Sequence, residues 1–306
     1  MKTCILTLGV LALLSTLGCE DLGTPSSEQR IPMRSLTSGE QALVTADNTF
    51  GFKLLAAVNK EDAGKDVFVS PVSVSMALGM TLNGANAATR DSMARTLEFS
   101  GLTQTGINSS YKSLIALLSN LDPKVKFQIA NSIWHRPDLL VEQAFKEVNS
   151  LHFNAEINSI NFSDPGAART INGWVDRSTN GKIKEIVPDP ISRDIVMYLI
   201  NAIYFKGTWT YSFDPKNTRD DSFTLPNGSK TACKMMYLKG NLRCTSTDQV
   251  QAMDLAFGDA GFSMTILLPK VGTNIDEFTG RLTQQQWISI VSGLATKEAE
   301  LYFPKF

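Results

Sequence analysis

The sequence has 306 residues, enough for one large domain or two ordinary ones. Hydrophobic residues make up 43% and charged residues 19%, a balance that supplies a sizeable core and excludes a disordered chain or a fibrous repeat. Lysine and arginine total 29 against 30 acidic residues, a net charge of −1, so the basic excess that marks a nucleic-acid partner is missing.

The first predicted element is a processing signal. Lys2 precedes an apolar run at 5–17 that is short for a membrane span, so residues 1–18 are expected to be removed on export. Residues 19–38, with Pro25, Ser26, Ser27 and Pro32, have no hydrophobic period and read as a tether. From about Glu40 the spacing turns helical through Ala42, Ala46, Phe50, Leu54 and Val58. Residues 67–69 signal a short strand. Ser70 then stands as the cap of a helix whose first residue is Pro71, where the missing N–H costs nothing. That helix runs through Met76 and Met80 towards Gly84. Further helices are expected near 89–97 and over Ile107, Tyr111, Leu114, Ile115 and Leu118.

Val125, Phe127 and Ile129 alternate with polar residues as in a half-buried strand. Helical spacing returns at Val141, Phe145 and Val148. Asp164-Pro165 opens another helix with Ile171, Trp174, Val175 and Ser178 inward, stopped at Gly181. The near-continuous apolar run at 195–205 predicts a strand buried on both faces. Strand signals follow at 222–225, 233–238, 250–257 and 262–268, then two short helices near 274–282 and 283–294, and a last strand at 299–306. Helices fill the first half and strands the second. The fold class is α+β, with one domain over 39–306 and no internal repeat.

Thr16-Leu17-Gly18-Cys19 resembles the lipobox of bacterial lipoproteins, although Thr16 stands where that motif prefers an aliphatic residue. The resemblance implies cleavage before Cys19, lipidation of its thiol and a membrane anchor there. The alternative is a plain secretory signal cut nearby. In both cases the chain leaves the cytoplasm, lipid-anchored or extracellular. Of four cysteines, Cys233 and Cys244 then remain, and an oxidising compartment leaves both a bond and two free thiols open. No Cys-x-x-Cys or His-Glu-x-x-His spacing occurs, so neither metal nor cofactor is expected. Gly261-Phe262-Ser263 lacks the last glycine of a hydrolase elbow and no phosphate-binding glycine loop is found, so an enzyme is not expected. His135 and His152 are the only histidines and read as surface or hydrogen-bonded groups. Asn108-Ser109-Ser110 and Asn227-Gly228-Ser229 match glycosylation sequons and read as chance loops.

Six segments in order resemble the serpins, the serine protease inhibitor family. They are Phe68-Val69-Ser70-Pro71-Val72-Ser73-Val74 with Ala77-Leu78-Gly79-Met80, Gly84-Ala85 and Thr89; Ala130-Asn131-Ser132-Ile133-Trp134; and Ile171-Asn172-Gly173-Trp174-Val175 with Thr179, Gly181 and Ile183. The others are Leu199-Ile200-Asn201-Ala202-Ile203-Tyr204-Phe205-Lys206-Gly207-Thr208-Trp209 with Phe213 and Thr218; Met235-Met236; and Phe303-Pro304-Lys305-Phe306. The resemblance implies a multi-sheet fold with a helical N-terminal half. It places Ser70, Ser73 and Asn201 at the shutter beneath the main sheet, and Trp209 at the breach above it. Read without the family, the serines are a helix cap and a first-turn residue, and Trp209 is a core aromatic.

The implied mechanism is stored strain. A serine or cysteine protease cleaves a bait loop, the loop inserts into the main sheet as a new strand, and the attached protease is dragged out of catalytic geometry. The late strands, the Glu-Gly-x-Glu-Ala-Ala-Ala hinge, the bait loop and the shutter histidine of the family are not found in these residues, and the chain reads as C-terminally truncated. It is expected to be inactive alone. The rival reading is a non-inhibitory binding or chaperone-like module of the same fold.

Overall fold

The structure, a computed structural model, describes residues 4–5, 34–225 and 228–305. The lipobox, Cys19, Asn227 and, apart from a two-residue strand β1 (Cys4–Ile5), the export signal lie outside them. The chain divides into two compact units, one of residues 33–121 with 126–206 and one that includes 122–125 and 207–306.

The first unit opens on a cap. Thr37 Oγ1 accepts from the Glu40 N–H at 3.2 Å and Glu40 Oε2 accepts from the Thr37 N–H at 2.7 Å, a capping box on α1 (Ser38–Glu61). Arg34 forks onto the same carboxylate at 2.8 and 2.5 Å, and that pairing holds Glu40 well below the usual carboxylate range against the cost of its burial. Arg34, and Leu36 against the core, are thus packed inside the span read as tether. Leu43, Ala46 and Phe50 of α1 join Met76, Met80 and Leu82 of α2 (Pro71–Leu82), and Leu97 beyond α3 (Ala87–Thr96). Ile107, Tyr111, Leu114 and Ile115 of α4 (Gln104–Ser119) complete one cluster with Phe153 of α5 (Gln143–Phe153).

A three-stranded sheet lies on this cluster in the order β3-β2-β4: β2 (Lys126–His135), β3 (Ala155–Ser159) and β4 (Met197–Lys206). β2 runs parallel to β3 and antiparallel to β4. Strand alternation divides the side chains between two faces. Ile129, Ile133, Met197 and Leu199 join the helical cluster, whereas Trp134, Tyr198, Ile200 and Ala202 meet Ile171, Trp174 and Val175 of α6 (Ala167–Ser178). Gly181, at φ +77°, gives its N–H to Asp176 O at 2.8 Å and ends α6 as expected.

Several sequence expectations are corrected. α6 starts at Ala167, because residues 164–166 turn first, with the Ala167 N–H bonded to Asp164 O at 3.0 Å. Residues 67–69 form no strand, since no described strand runs beside them, and Phe68 is 100% exposed. The run at 195–205 is not buried throughout. Only Ile200 and Ala202 of β4 are buried, because β4 is the last strand of its sheet and its end with Phe205 runs out into solvent. Asn108 is no loop residue; it lies in α4 and is 3% exposed, so that sequon is closed.

The second unit is a mainly antiparallel sheet built on β6 (Lys230–Ser246). β6 pairs with β5 (Arg219–Thr224) at its start, with β9 (Ala295–Pro304) in its middle and with β7 (Val250–Phe257) at its end. β7 pairs in turn with β8 (Phe262–Pro269), and β1 lies parallel to β9. Arg243, Asp254 and Thr265 face one another across β6, β7 and β8, with Arg243 Nη1 3.2 Å and Thr265 Oγ1 2.8 Å from the Asp254 carboxylate. Two short helices, α7 (Ile275–Arg281) and α8 (Gln284–Ser292), are capped by the side chains of Asn274 and Thr283. The buried Asp122 carboxylate accepts the N–H groups of Lys124, Asp259 and Gly261 at 2.9, 2.8 and 3.1 Å, fastening residues 122–125 to the β7–β8 turn.

This geometry decides the cysteine question. Cys233 and Cys244 sit on the single strand β6, and at about 3.3 Å per residue their Cα atoms are ~36 Å apart, far beyond disulfide reach. In a chain beginning after Cys19, thiol titration without reductant therefore finds two thiols after denaturation. The buried Cys244 reacts only on unfolding. A denatured, unreduced monomer with no reactive thiol would refute the strand assignment.

Candidate functional site

The sequence brings serines at 73 and 75 onto one short helix that has no charged residue. Ser70 stands at the N-cap of α2, but its hydroxyl makes no capping bond; its backbone carbonyl instead accepts from the N–H groups of Ser73 at 3.1 Å and Val74 at 3.2 Å. The side-chain cap expected there is corrected. Ser73 Oγ donates to Asn201 Oδ1 in the middle of β4. Asn201 Nδ2 donates to Asn131 Oδ1 at 2.8 Å, directly across the β2–β4 ladder, and Asn131 Nδ2 donates to Phe153 O at 2.7 Å. A relay of side-chain hydrogen bonds thus runs from α2 through β4 and β2 to the end of α5. Of the expected shutter residues, Ser73 and Asn201 meet directly, while Ser70 touches the relay only through the backbone.

Ser75 faces away from the relay. Its hydroxyl lies 2.5 Å from Asp47 Oδ1 on α1 and 2.6 Å from the Tyr111 hydroxyl on α4, which donates to the same carboxylate at 3.0 Å. Burial pushes the Asp47 carboxyl up to about 6, partly offset by the two hydroxyls. At the far end of α2, Asn83 Nδ2 donates to Asn149 Oδ1 at 2.9 Å, and Asn83 Oδ1 accepts from Gln104 at 2.7 Å and Asn108 at 2.9 Å.

Trp209 belongs to the second unit. Its ring stacks on Phe257 with centroids 4.2 Å apart, Phe213 meets it edge-on, and its backbone bridges to Phe257. Gly207 permits this approach, since a Cβ there would stand 3.0 Å from the Phe257 ring. His135 is buried with Nδ1 2.9 Å from Arg136 O. His152 departs from expectation: its Nδ1 is buried without a hydrogen-bond partner among the described residues. No group of three or more His, Cys, Asp or Glu able to hold a metal occurs among the described residues.

Asn131 and Tyr111 entered the sequence reading only as motif and helix positions, and Asp47 and Ser75 had no place in it. Asn131 had a signal, a carboxamide amid apolar strand residues and in step with Ile129 and Ile133. Nothing local marks Asp47, which lies on an ordinary amphipathic helix. The relay gives a measurable coupling. Ser73→Ala leaves Asn201 Oδ1 without its donor and is expected to cost about 1–2 kcal/mol; Asn201→Ala breaks both links and costs about 2–4 kcal/mol. Urea unfolding of the double variant should show no further loss beyond Asn201→Ala, and strictly additive losses would deny that the two residues form one network.

Comparison with known proteins follows this geometry. The family model described as Serpin (serine protease inhibitor) matches residues 45–306. Iripin-2 of Ixodes ricinus is 31% identical over 87% of this chain and 68% of its own length. Serpin B8 of Bos taurus is 31% identical over 86% and 72% of the two chains, and an uncharacterized serpin-like protein of Methanosarcina acetivorans is 27% identical over 99% and 72%. Among solved structures, emu ovalbumin superposes with a TM-score of 0.81 at 20% identity, covering 87% of this chain and 73% of that one. Cleaved Serpin 42Da superposes with a TM-score of 0.80 at 28% identity, over 88% and 73%. A family match over residues 45–306, relatives above 30% identity and the shared fold together establish that this chain is a member of the serpin family.

Proposed function

We propose that this chain is the strand-accepting body of an inhibitor of serine or cysteine endopeptidases that works by strand insertion. The observation that carries the reading is the edge of β4. β4 closes one side of the sheet β3-β2-β4, and its two faces are covered by α2 and α6, so an added strand would gain ladder hydrogen bonds and apolar contact together. The Ser73–Asn201–Asn131 relay hangs beneath that edge. We assign it, with Ser70, the shutter role, in which its bonds are exchanged when a strand enters. Trp209, with Phe257 and Phe213, is assigned to the breach. Residues 1–18 direct export, residues 19–38 serve as the tether, and Cys19 carries a lipid anchor.

Residues 1–306 contain no hinge or bait-loop pattern, so they are not expected to trap a protease by themselves. The test mixes this chain, and a chimaera in which a serpin hinge and bait loop follow residue 306, with chymotrypsin-, trypsin- and subtilisin-like proteases. Denaturing gels should show a stable high-mass adduct with the chimaera only. An adduct formed by the 306-residue chain would overturn the division between body and loop, and a chimaera cleaved only as a substrate would overturn strand insertion here.

A further inference from the structure

We propose that in mild acid Asp47 holds a proton in the folded protein, and that this proton closes a hydrogen-bonded ring clamping α2 to α1 and α4. Three oxygens meet in pairs: Ser75 with Asp47 at 2.5 Å, Ser75 with Tyr111 at 2.6 Å, and Tyr111 with Asp47 at 3.0 Å. Each separation is a hydrogen-bond distance and calls for one hydrogen. Ser75 and Tyr111 bring one each, and an ionised Asp47 brings none. With two hydrogens, one of the three contacts sets lone pairs against each other, and both hydroxyl side chains are fully buried. A proton on Asp47 Oδ1 supplies the third. It goes to the Ser75 oxygen, the Ser75 hydrogen goes to Tyr111, and the Tyr111 hydrogen returns to Asp47 Oδ1. Every oxygen then donates once and accepts once.

Among the described residues of these three helices no cation is placed to settle the charge differently. α2 has no charged residue, and the single charged residue of α4, Lys112, is exposed. On α1, Glu40 is paired with Arg34 and Lys53 with Glu98, and Lys60 and Glu61 stand at its far end. Only burial and the two hydroxyls act on the Asp47 carboxyl, which burial pushes up to about 6. Tyr111 stays neutral, because burial first and the neighbouring carboxylate second push it well above its ordinary value.

The sign follows from this direction. A carboxyl whose value is raised on folding adds stability that is fully present below its unfolded value, near 4, and is lost as pH rises through about 6. The ring is therefore closed in mild acid and open at neutral pH, where α2 keeps its bond to Asn201 but loses one tie to the helices beneath. Acidification from pH 7.5 to 5 should raise the folded-to-unfolded ratio about tenfold through this group.

The test uses the full chain with aspartate labelled by 13C at the side-chain carboxyl, titrated by NMR and assigned with Asp47→Asn. One carboxyl resonance should titrate near 6 and vanish in the variant. Asparagine brings a donor as well as an acceptor, so the variant should unfold in urea at a midpoint that lacks this gain between pH 7.5 and 5. Should Asp47→Asn fail to fold, Tyr111→Phe, which opens the ring, assigns the resonance by moving it. An Asp47 carboxyl that titrates below 4.5, or a wild-type pH gain that Asp47→Asn retains in full, would overturn the proposal.

Discussion

A hydroxyl taken out of water has to find a partner inside the protein, and α2 carries two such groups in its first half whose partners lie in opposite directions. Ser73 reaches up to Asn201 in the sheet, and Ser75 reaches across to Asp47 and Tyr111 in the helices. Two residues apart on a helix is roughly half a turn, so one short segment is bonded on both sides. Apolar contacts alone would let α2 slide between sheet and helices at little cost. The paired hydroxyls fix its depth and rotation, and the rest of the first unit is arranged about that fixed helix.

The same helix explains how glycines earn their place. Gly79 sits mid-helix, where glycine is destabilising by roughly 1 kcal/mol against alanine. A Cβ there would stand 3.1 Å from the Tyr111 ring, closer than ordinary contact. The glycine brings Tyr111 down onto α2, where its hydroxyl meets Ser75. Gly84 does likewise for Phe145, whose ring would lie 3.1 Å from an added Cβ. These close approaches also bring α4 and α5 near enough for Asn83, Asn108 and Asn149 to bond.

Much of this was legible from the chain. Periodicity placed the helices at 107–118 and 171–178, because each buries one regular face, and an apolar run placed the strand at 250–257, which is buried at nearly every position. It failed where the deciding partner is remote in sequence. Residues 67–69 have strand chemistry and no described strand to pair with, and the apolar run of β4 has its full pattern but stands at an edge. Ser73 and Asn201 were found through the family resemblance, since a serine in a first helical turn has a local explanation that hides a partner 128 residues away. The Asp47 ring had no such guide. Its three members lie on three helices, and each taken alone is an unremarkable residue for its position.

A relay of neutral amides and hydroxyls beneath a sheet adds little net stability over a well-packed apolar substitute, since each bond replaces one to water. What it supplies is register. Asn131 and Asn201 are directly opposed in the β2–β4 ladder and share the face that meets α2 and α5. A slip of β4 by one residue would turn the Asn201 carboxamide to the other face, against Ile171 and Trp174, where the contacts are apolar, and would leave Asn131 Oδ1 without its donor. The displaced carboxamide and the orphaned Asn131 oxygen would cost about 1–3 kcal/mol each, whereas the aliphatic residues of β4 would tolerate either face. The edge of the sheet is thereby held in one alignment by two opposed carboxamides, and a strand added beside β4 would meet a ladder whose register is already set.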